Sequence, residues 1–206
     1  MIKNASSNEF EESLKKTCDF MLKYRSQLPH LPVASSVSPN QILNQLPVSP
    51  PSSGESFDRI LQDLESLIIP GLTHWQHPQF MGYFPSNSSD PSLLAEMLIA
   101  TFGVQAMGWG TSPAATELEI RVLEWLRDAL GLPKSFSGVI HDSASNSTLA
   151  AMVAAREKAT QFSSNEEGME NHRLVAYASE EAHSSVEKAA KIIGIGRRYF
   201  RKIPTN

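Results

Sequence analysis

Along residues 8–25 the apolar positions Phe10, Leu14, Cys18, Met21 and Leu22 recur at helical spacing, while Glu11, Glu12, Lys15 and Lys16 fall elsewhere on the wheel. This period predicts an amphipathic helix closed near Pro29. Its stripe needs a cover, and a second subunit is one candidate. Residues 29–56 lose the period and carry Pro29, Pro32, Pro39, Pro47, Pro50 and Pro51 among serines. They read as an extended arm holding one short helix near Asn40–Gln45. Ile60, Leu61, Leu64, Leu67 and Ile68 restore a helical stripe over 57–69, stopped by Pro70-Gly71. From Thr73 to Ser86, Trp75, Phe80, Tyr83 and Phe84 mix with His74, His77 and prolines without a period, which predicts an ordered loop.

Asp90-Pro91 reads as the cap and first residue of a helix through Leu93, Leu94, Met97, Leu98 and Phe102. Ser112-Pro113 repeats that start for a helix through Leu118, Val122, Trp125 and Ala129, ended by Gly131 with Pro133 beyond. Val139-Ile140 then predicts a short buried strand that breaks into Ser143 and Ser145. A helix with Leu149, Met152 and Val153 on one face follows. The polar run Ser163–His172 predicts a surface loop whose acidic residues form a solvated face. Leu174–Tyr177 predicts a second strand, Val186, Ala190 and Ile193 a helix broken at Gly194, and Tyr199–Ile203 a third strand. Strands alternating with helices predict an α/β fold with a parallel-type sheet and right-handed crossovers.

Composition narrows the function classes. In 206 residues, Lys and Arg total 18 against 22 Asp and Glu, a formal net charge of -4. This balance offers no global attraction to nucleic acid or an anionic membrane. The single cysteine, Cys18, excludes an internal disulfide and a cysteine metal cluster, and it fits a reducing compartment. The N-terminal residues show no secretory leader pattern. The most apolar stretch, 93–109, is interrupted by Glu96 and Gln105 and reads as a core helix rather than a membrane span. A cytoplasmic location is the expectation. His74 and His77 raise the question of zinc, but no third ligand stands at useful spacing. Packing, or the wall of an apolar pocket, is the expected role, with no metal.

The candidate chemistry gathers at two turns. Small residues at a strand-to-helix turn let a ligand approach the backbone, and the first helical N–H groups point outward at the positive end of the dipole. With the hydroxyls of Ser143 and Ser145, the turn is suited to an anion, most naturally a phosphate. Plain helix capping by these serines is the alternative reading and remains open. At the second turn, Ala182–Ser185, His183 offers an imidazole at a helix start, either as a surface histidine or as a flat ring over a planar ligand. In an open parallel sheet both turns lie on the carboxyl rim of the strands, where ligands gather.

The chain resembles the N-terminal part of the pyridoxal-phosphate-dependent group II decarboxylases, the aromatic-L-amino-acid decarboxylase group. The resemblance runs from about Phe10 to the last residue. Carrying it, in order, are Pro70-Gly71-Leu72-Thr73-His74-Trp75, Gly82-Tyr83-Phe84-Pro85, Thr111 to Glu119, Gly138-Val139-Ile140 with Ser143-Ala144-Ser145, and Ala182-His183-Ser184-Ser185-Val186. It implies a fold-type-I pyridoxal-phosphate-dependent transferase-like subunit. Residues 1–89 would form a helical, dimer-forming arm and pocket loop, and 90–206 the first part of the large cofactor domain. It also implies pyridoxal 5'-phosphate with its phosphate at Ala144 and Ser145, and His183 stacked on the pyridine ring as the catalytic residue. Trp75, Tyr83, Phe84, Pro85 and Ser86 match the substrate-pocket segment, and Gln105 and Met107 match the stretch entering a neighbouring subunit's site. The partners implied are an amino-acid substrate and a second copy of the chain, with no nucleic acid and no membrane. The implied reaction is decarboxylation of an aromatic L-amino acid, the cofactor taking up the electrons. A relative with another amino-acid substrate, an aldehyde-forming enzyme and a non-catalytic dimerisation module are the alternatives.

Two departures stand out. Gln105 and Met107 replace more apolar or aromatic residues of the animal enzymes. None of Lys158, Lys188, Lys191 or Lys202 lies in the family's Schiff-base lysine motif. The expectation is a partial product that ends before its sheet is complete and is inactive alone.

Overall fold

A computed structural model describes residues 7–85 and 88–205. The chain forms two compact units, one running to Phe102 and the other beginning at Gly103.

In the first unit the heptad-like stripe of residues 8–25 becomes α1, Ser7–Gln27. The proline arm follows, with short 3₁₀ turns at Leu28–His30 and Leu43–Gln45. The next helix, α2 (Phe57–Asp63), is capped by Ser56 and continues through a wider π turn, Leu64–Ile68, to a 3₁₀ turn at Ile69–Gly71. Ion pairs hold α1 to this segment, Lys16 to Asp58 and Lys23 to Glu65, while Arg25 reaches Asp90 at the start of α3. The stripe of α1 stays largely uncovered: Phe10, Leu14 and Leu22 are all exposed.

Helix α3 spans Asp90–Phe102. Its cap differs from the expectation. Ser89, not Asp90, closes the helix, because Ser89 Oγ accepts from the Ser92 amide at 3.3 Å while Ser92 Oγ accepts from the Ser89 amide at 2.9 Å. This reciprocal pair satisfies two amide donors at once. Asp90 is thereby placed inside the first turn, where its charge favours the dipole.

The second unit opens with α4 (Pro113–Ala129), capped by Ser112 and ended past Leu130 by Gly131 at φ +66. Next come α5 (Ala144–Ala159), α6 (Ser163–Glu167), β1 (Ala176–Ser179), α7 (Ser184–Ile192) and β2 (Phe200–Ile203). The strands pair in parallel with Ala176 opposite Phe200 and Ser179 opposite Ile203. The core is the cluster Ala190, Ile193, Ile195 and Phe200, flanked by Leu149, Met152, Val153, Leu174 and Val186.

Three expectations need correction here. Val139-Ile140 is not a strand; among the described residues the sheet has two strands, β1 and β2. The Ile140 amide donates to Glu119 Oε1 at 2.7 Å instead of to a neighbouring strand. An isolated apolar run has no ladder to join without an adjacent edge. The second strand begins at Ala176 rather than Leu174, since Leu174 packs on the core cluster ahead of the paired residues. The polar run Ser163–His172 is not all surface. Ser164 is buried, donates to Glu157 Oε1 at 2.8 Å and accepts from Thr160 Oγ1 at 2.9 Å. Its acidic members Glu166, Glu167 and Glu170 are exposed.

Glu187 on α7 binds Lys191 at 3.0 Å and Lys202 of β2 at 3.1 Å. Hydrogen bonds from these two lysines hold its carboxyl at about 2, below the ordinary 4.5. A depressed carboxyl pKa adds stability above the unfolded value, and that gain disappears as pH falls through the folded one. Glu187→Gln is therefore expected to lower the melting temperature at neutral pH, with the gap to wild type closing between about pH 4.5 and 2. Thermal melts across that range check it, and a gap independent of pH would contradict the clamp. Among the described residues no helix is long and apolar enough to cross a membrane.

Candidate functional site

Two helix starts in the second unit open on one end of it. Helices α5 and α7 pack side by side on the shared core cluster. Arg156, in the last turn of α5, donates from Nη1 to the Ile193 carbonyl just past α7 at 3.2 Å. Carboxyl ends that meet while the middles share a core make the two helices parallel. Their N-termini, with Ser143–Ser145 and His183, therefore face the same way. His183 follows the carboxyl end of β1, as a rim residue of a parallel sheet does.

At α5, Ser143 is the cap: its Oγ accepts from the Asn146 amide at 3.3 Å. Ser143 is thus engaged in the cap, and Ser145 is not. The amides of Ala144 and Ser145 and the exposed Ser145 hydroxyl have no hydrogen-bond partner among the described residues. Free amides at the positive end of a long helix, with a free hydroxyl beside them, make a seat for an anion. One group opposes it. Asp142, just before the cap, carries a carboxylate whose Oδ1 accepts from Asn146 Nδ2 at 2.6 Å.

At α7, His183 is itself the cap, accepting from the Ser185 amide through Nδ1. Its ring is exposed. Gln105 and Met107 stand exposed in the segment before α4, and no hydrogen bond among the described residues ties either side chain to α5 or α7. That segment is steadied by Trp109, which donates from Nε1 to Glu117 at 2.9 Å.

The remaining sequence-derived site residues lie in the first unit. Trp75 stacks on Phe80 at 4.8 Å and on Tyr83 at 5.3 Å between ring centroids. Tyr83 holds a left-handed backbone, φ 54, which turns the chain so that its ring returns over Trp75. Phe84 is fully exposed and Pro85 follows it, while Ser86 lies outside the described residues. The histidines of the same loop are buried: Tyr24 hydroxyl and His74 Nδ1 lie 2.7 Å apart, and His77 Nδ1 accepts from the Gln79 amide at 2.9 Å. Burial, with the nearby His77 as a lesser cause, pushes His74 below the ordinary histidine range. No group of metal-binding side chains gathers among the described residues.

Sequence reasoning missed Ser185 and Asp142. A serine two places after a histidine at a helix start was the available signal for the first, and an acidic residue directly before a serine cap for the second.

The description "Pyridoxal-dependent decarboxylase conserved domain" matches residues 39–206. Tyrosine decarboxylase 4 of Petroselinum crispum is 43% identical over 204 residues, covering 96% of this chain and 39% of that protein. Phenylacetaldehyde synthase of Arabidopsis thaliana is 39% identical over 212 residues, covering 100% of this chain and 43% of that one. Among solved structures, Oryza sativa TDC with PLP and tryptamine superposes with a TM-score of 0.92 at 32% identity, covering 100% of this chain and 44% of its own. The chain thus spans about two-fifths of the length of the curated relatives it matches.

Proposed function

Because the chain belongs to the pyridoxal-dependent decarboxylase family, we propose that it serves a carboxy-lyase acting on aromatic L-amino acids, with pyridoxal 5'-phosphate seated at the start of α5. The single observation behind this reading is the pair of free amides with a free hydroxyl at Ala144 and Ser145, on the same end of the unit as His183. The donor set fits a phosphate: two amides and a hydroxyl face the seat, and the helix dipole favours negative charge over the one opposing carboxylate, Asp142.

When bound, the cofactor supplies an electron sink for the bond broken at the amino acid's α-carbon. Ala144 and Ser145 fix the phosphate and so set the ring's place. His183 covers one ring face, limits its tilt and excludes water from that side. Orientation of this kind contributes several kcal/mol when one bond must stand across a ring. Trp75, Tyr83, Phe84, Pro85 and Ser86 are the proposed substrate-pocket segment, and Gln105 and Met107 are proposed to enter the site of a neighbouring subunit. The stacked Trp75–Tyr83 pair supports an aromatic preference, because planar apolar rings favour offset stacking with their own kind. The proposal extends to a homodimer paired through the N-terminal arm, which the exposed stripe of α1 supports, and to a cytoplasmic location. It also extends to the absence of turnover by the 206-residue chain alone, since none of Lys158, Lys188, Lys191 or Lys202 lies in the Schiff-base lysine motif.

A second reading is aldehyde formation from the same substrates, favoured by the 39% identity to an aldehyde synthase. A purely structural, dimer-forming role is a third, supported by the same α1 stripe. Titrating the chain with pyridoxal 5'-phosphate, with dephosphorylated pyridoxal in parallel, tests the proposal. Saturable binding that requires the phosphate is expected, and equal affinity for both compounds would refute the seat.

Asp142 gives a sharper test. Its carboxylate stands beside the anion seat, so Asp142→Asn is expected to tighten cofactor binding by about twofold to fivefold at low salt. That is the size of one exposed charge at a helix N-terminus. The gain should shrink as salt is added, and a salt-independent change would point to altered folding of the turn instead.

A further inference from the structure

The imidazole of His183 is tied down at only one of its nitrogens. Nδ1 lies 2.9 Å from Ser185 Oγ and accepts from the Ser185 amide at 3.3 Å. A backbone amide can only donate, so Nδ1 must present its lone pair, and the neutral ring carries its proton on Nε2. The serine hydroxyl meets the same lone pair, so it donates as well. Nε2, across the ring, has no hydrogen-bond partner among the described residues. Ser185 is half-buried while His183 is exposed, so the anchor is sheltered and the ring it holds is open to a ligand.

We propose that Ser185 is the positioning residue for His183, its amide and hydroxyl together fixing the tautomer and rotation of the imidazole so that Nε2–H is the edge offered to a ligand. The proposal rests on the reading of His183 as the cover of the cofactor ring and adds what that cover presents. A ring held this way is a donor at Nε2, suited to an anionic oxygen of a bound amino acid or cofactor, and cannot accept a proton at that atom. One residue thus sets both the start of α7 and the chemistry of the exposed edge.

Ring-15N-labelled histidine in the 206-residue chain tests this directly, read by long-range proton–nitrogen correlation at a pH above the ordinary histidine range. Loss of one signal set in His183→Gln identifies the residue. Ser185→Thr and Ser185→Val have the same shape and differ in the hydroxyl. The wild-type and threonine rings are expected to be held as Nε2–H. The valine ring should show an Nε2–H to Nδ1–H ratio lowered by roughly threefold to tenfold, the effect of one net hydrogen bond. Equal ratios in the two variants, or Nδ1–H predominating in wild type, would overturn the assignment. The wild-type tautomer is read with no substitution at 185, so an Nδ1–H ring there overturns the assignment even where a variant fails to fold. Adding pyridoxal 5'-phosphate to the same samples separates the two ideas. His183 signals that ignore the cofactor would defeat the ring-cover reading, while the threonine–valine difference would report on Ser185 alone.

Discussion

Ser145→Asp is expected to weaken pyridoxal 5'-phosphate binding by at least about a hundredfold. The substitution removes a hydroxyl donor to a charged oxygen, worth about 1.5–3 kcal/mol, and sets a carboxylate within about 4 Å of the phosphate, costing about 1 kcal/mol or more per unit charge even in water. Misfolding does not explain such a loss, because an acidic residue in the first turn of a helix stabilises it. Ser145 is also exposed and takes no part in capping, which Ser143 performs. Cofactor titration by absorbance, paired with thermal melts, checks both halves: binding should vanish while the melting temperature holds or rises. Retained affinity would move the phosphate elsewhere.

Phe200→Ala carries the largest expected cost in stability, about 3–5 kcal/mol, the loss of a large aromatic from a packed interior. Phe200 begins β2, pairs across the ladder with Ala176 and belongs to the small cluster with Ala190, Ile193 and Ile195. Against a typical total of about 5–15 kcal/mol, such a loss leaves little margin. The second unit should unfold at a much lower urea concentration, and its cofactor seat with it, since α5 and α7 both rest on this cluster. A midpoint shifted no more than by a surface substitution would show that the cluster is not what sets the two helices parallel.

What could be read from the sequence follows from how local each signal is. Ser112-Pro113 and Gly131 bracket α4 as expected, because a hydroxyl cap, a fixed proline φ and a left-handed glycine act within one turn. The α1 stripe and the β1–α7–β2 alternation were legible for the same reason, being periods rather than pairings. Val139-Ile140 failed because a strand exists only in relation to its neighbour. Ser164 failed because its burial depends on Thr160 and Glu157, four and seven residues back, turning a hydroxyl and a carboxylate inward. At the site, the serine turn and the histidine turn were visible as residue types. The division of labour between Ser143 and Ser145, the grip of Ser185 on His183 and the placing of Asp142 by Asn146 are matters of hydrogen-bond geometry and had to be seen.

The common placement of the two turns carries the functional account. Its most direct test follows the Ser145 backbone amide and the His183 ring nitrogens together while pyridoxal 5'-phosphate is added to the labelled chain. One small molecule held at both places moves both sets of signals along a single saturation curve, and Ser145→Asp abolishes both responses. A Ser145 amide that saturates while the His183 ring stays unmoved would show a phosphate seat with no ring beneath the imidazole, and the proposed site would be wrong.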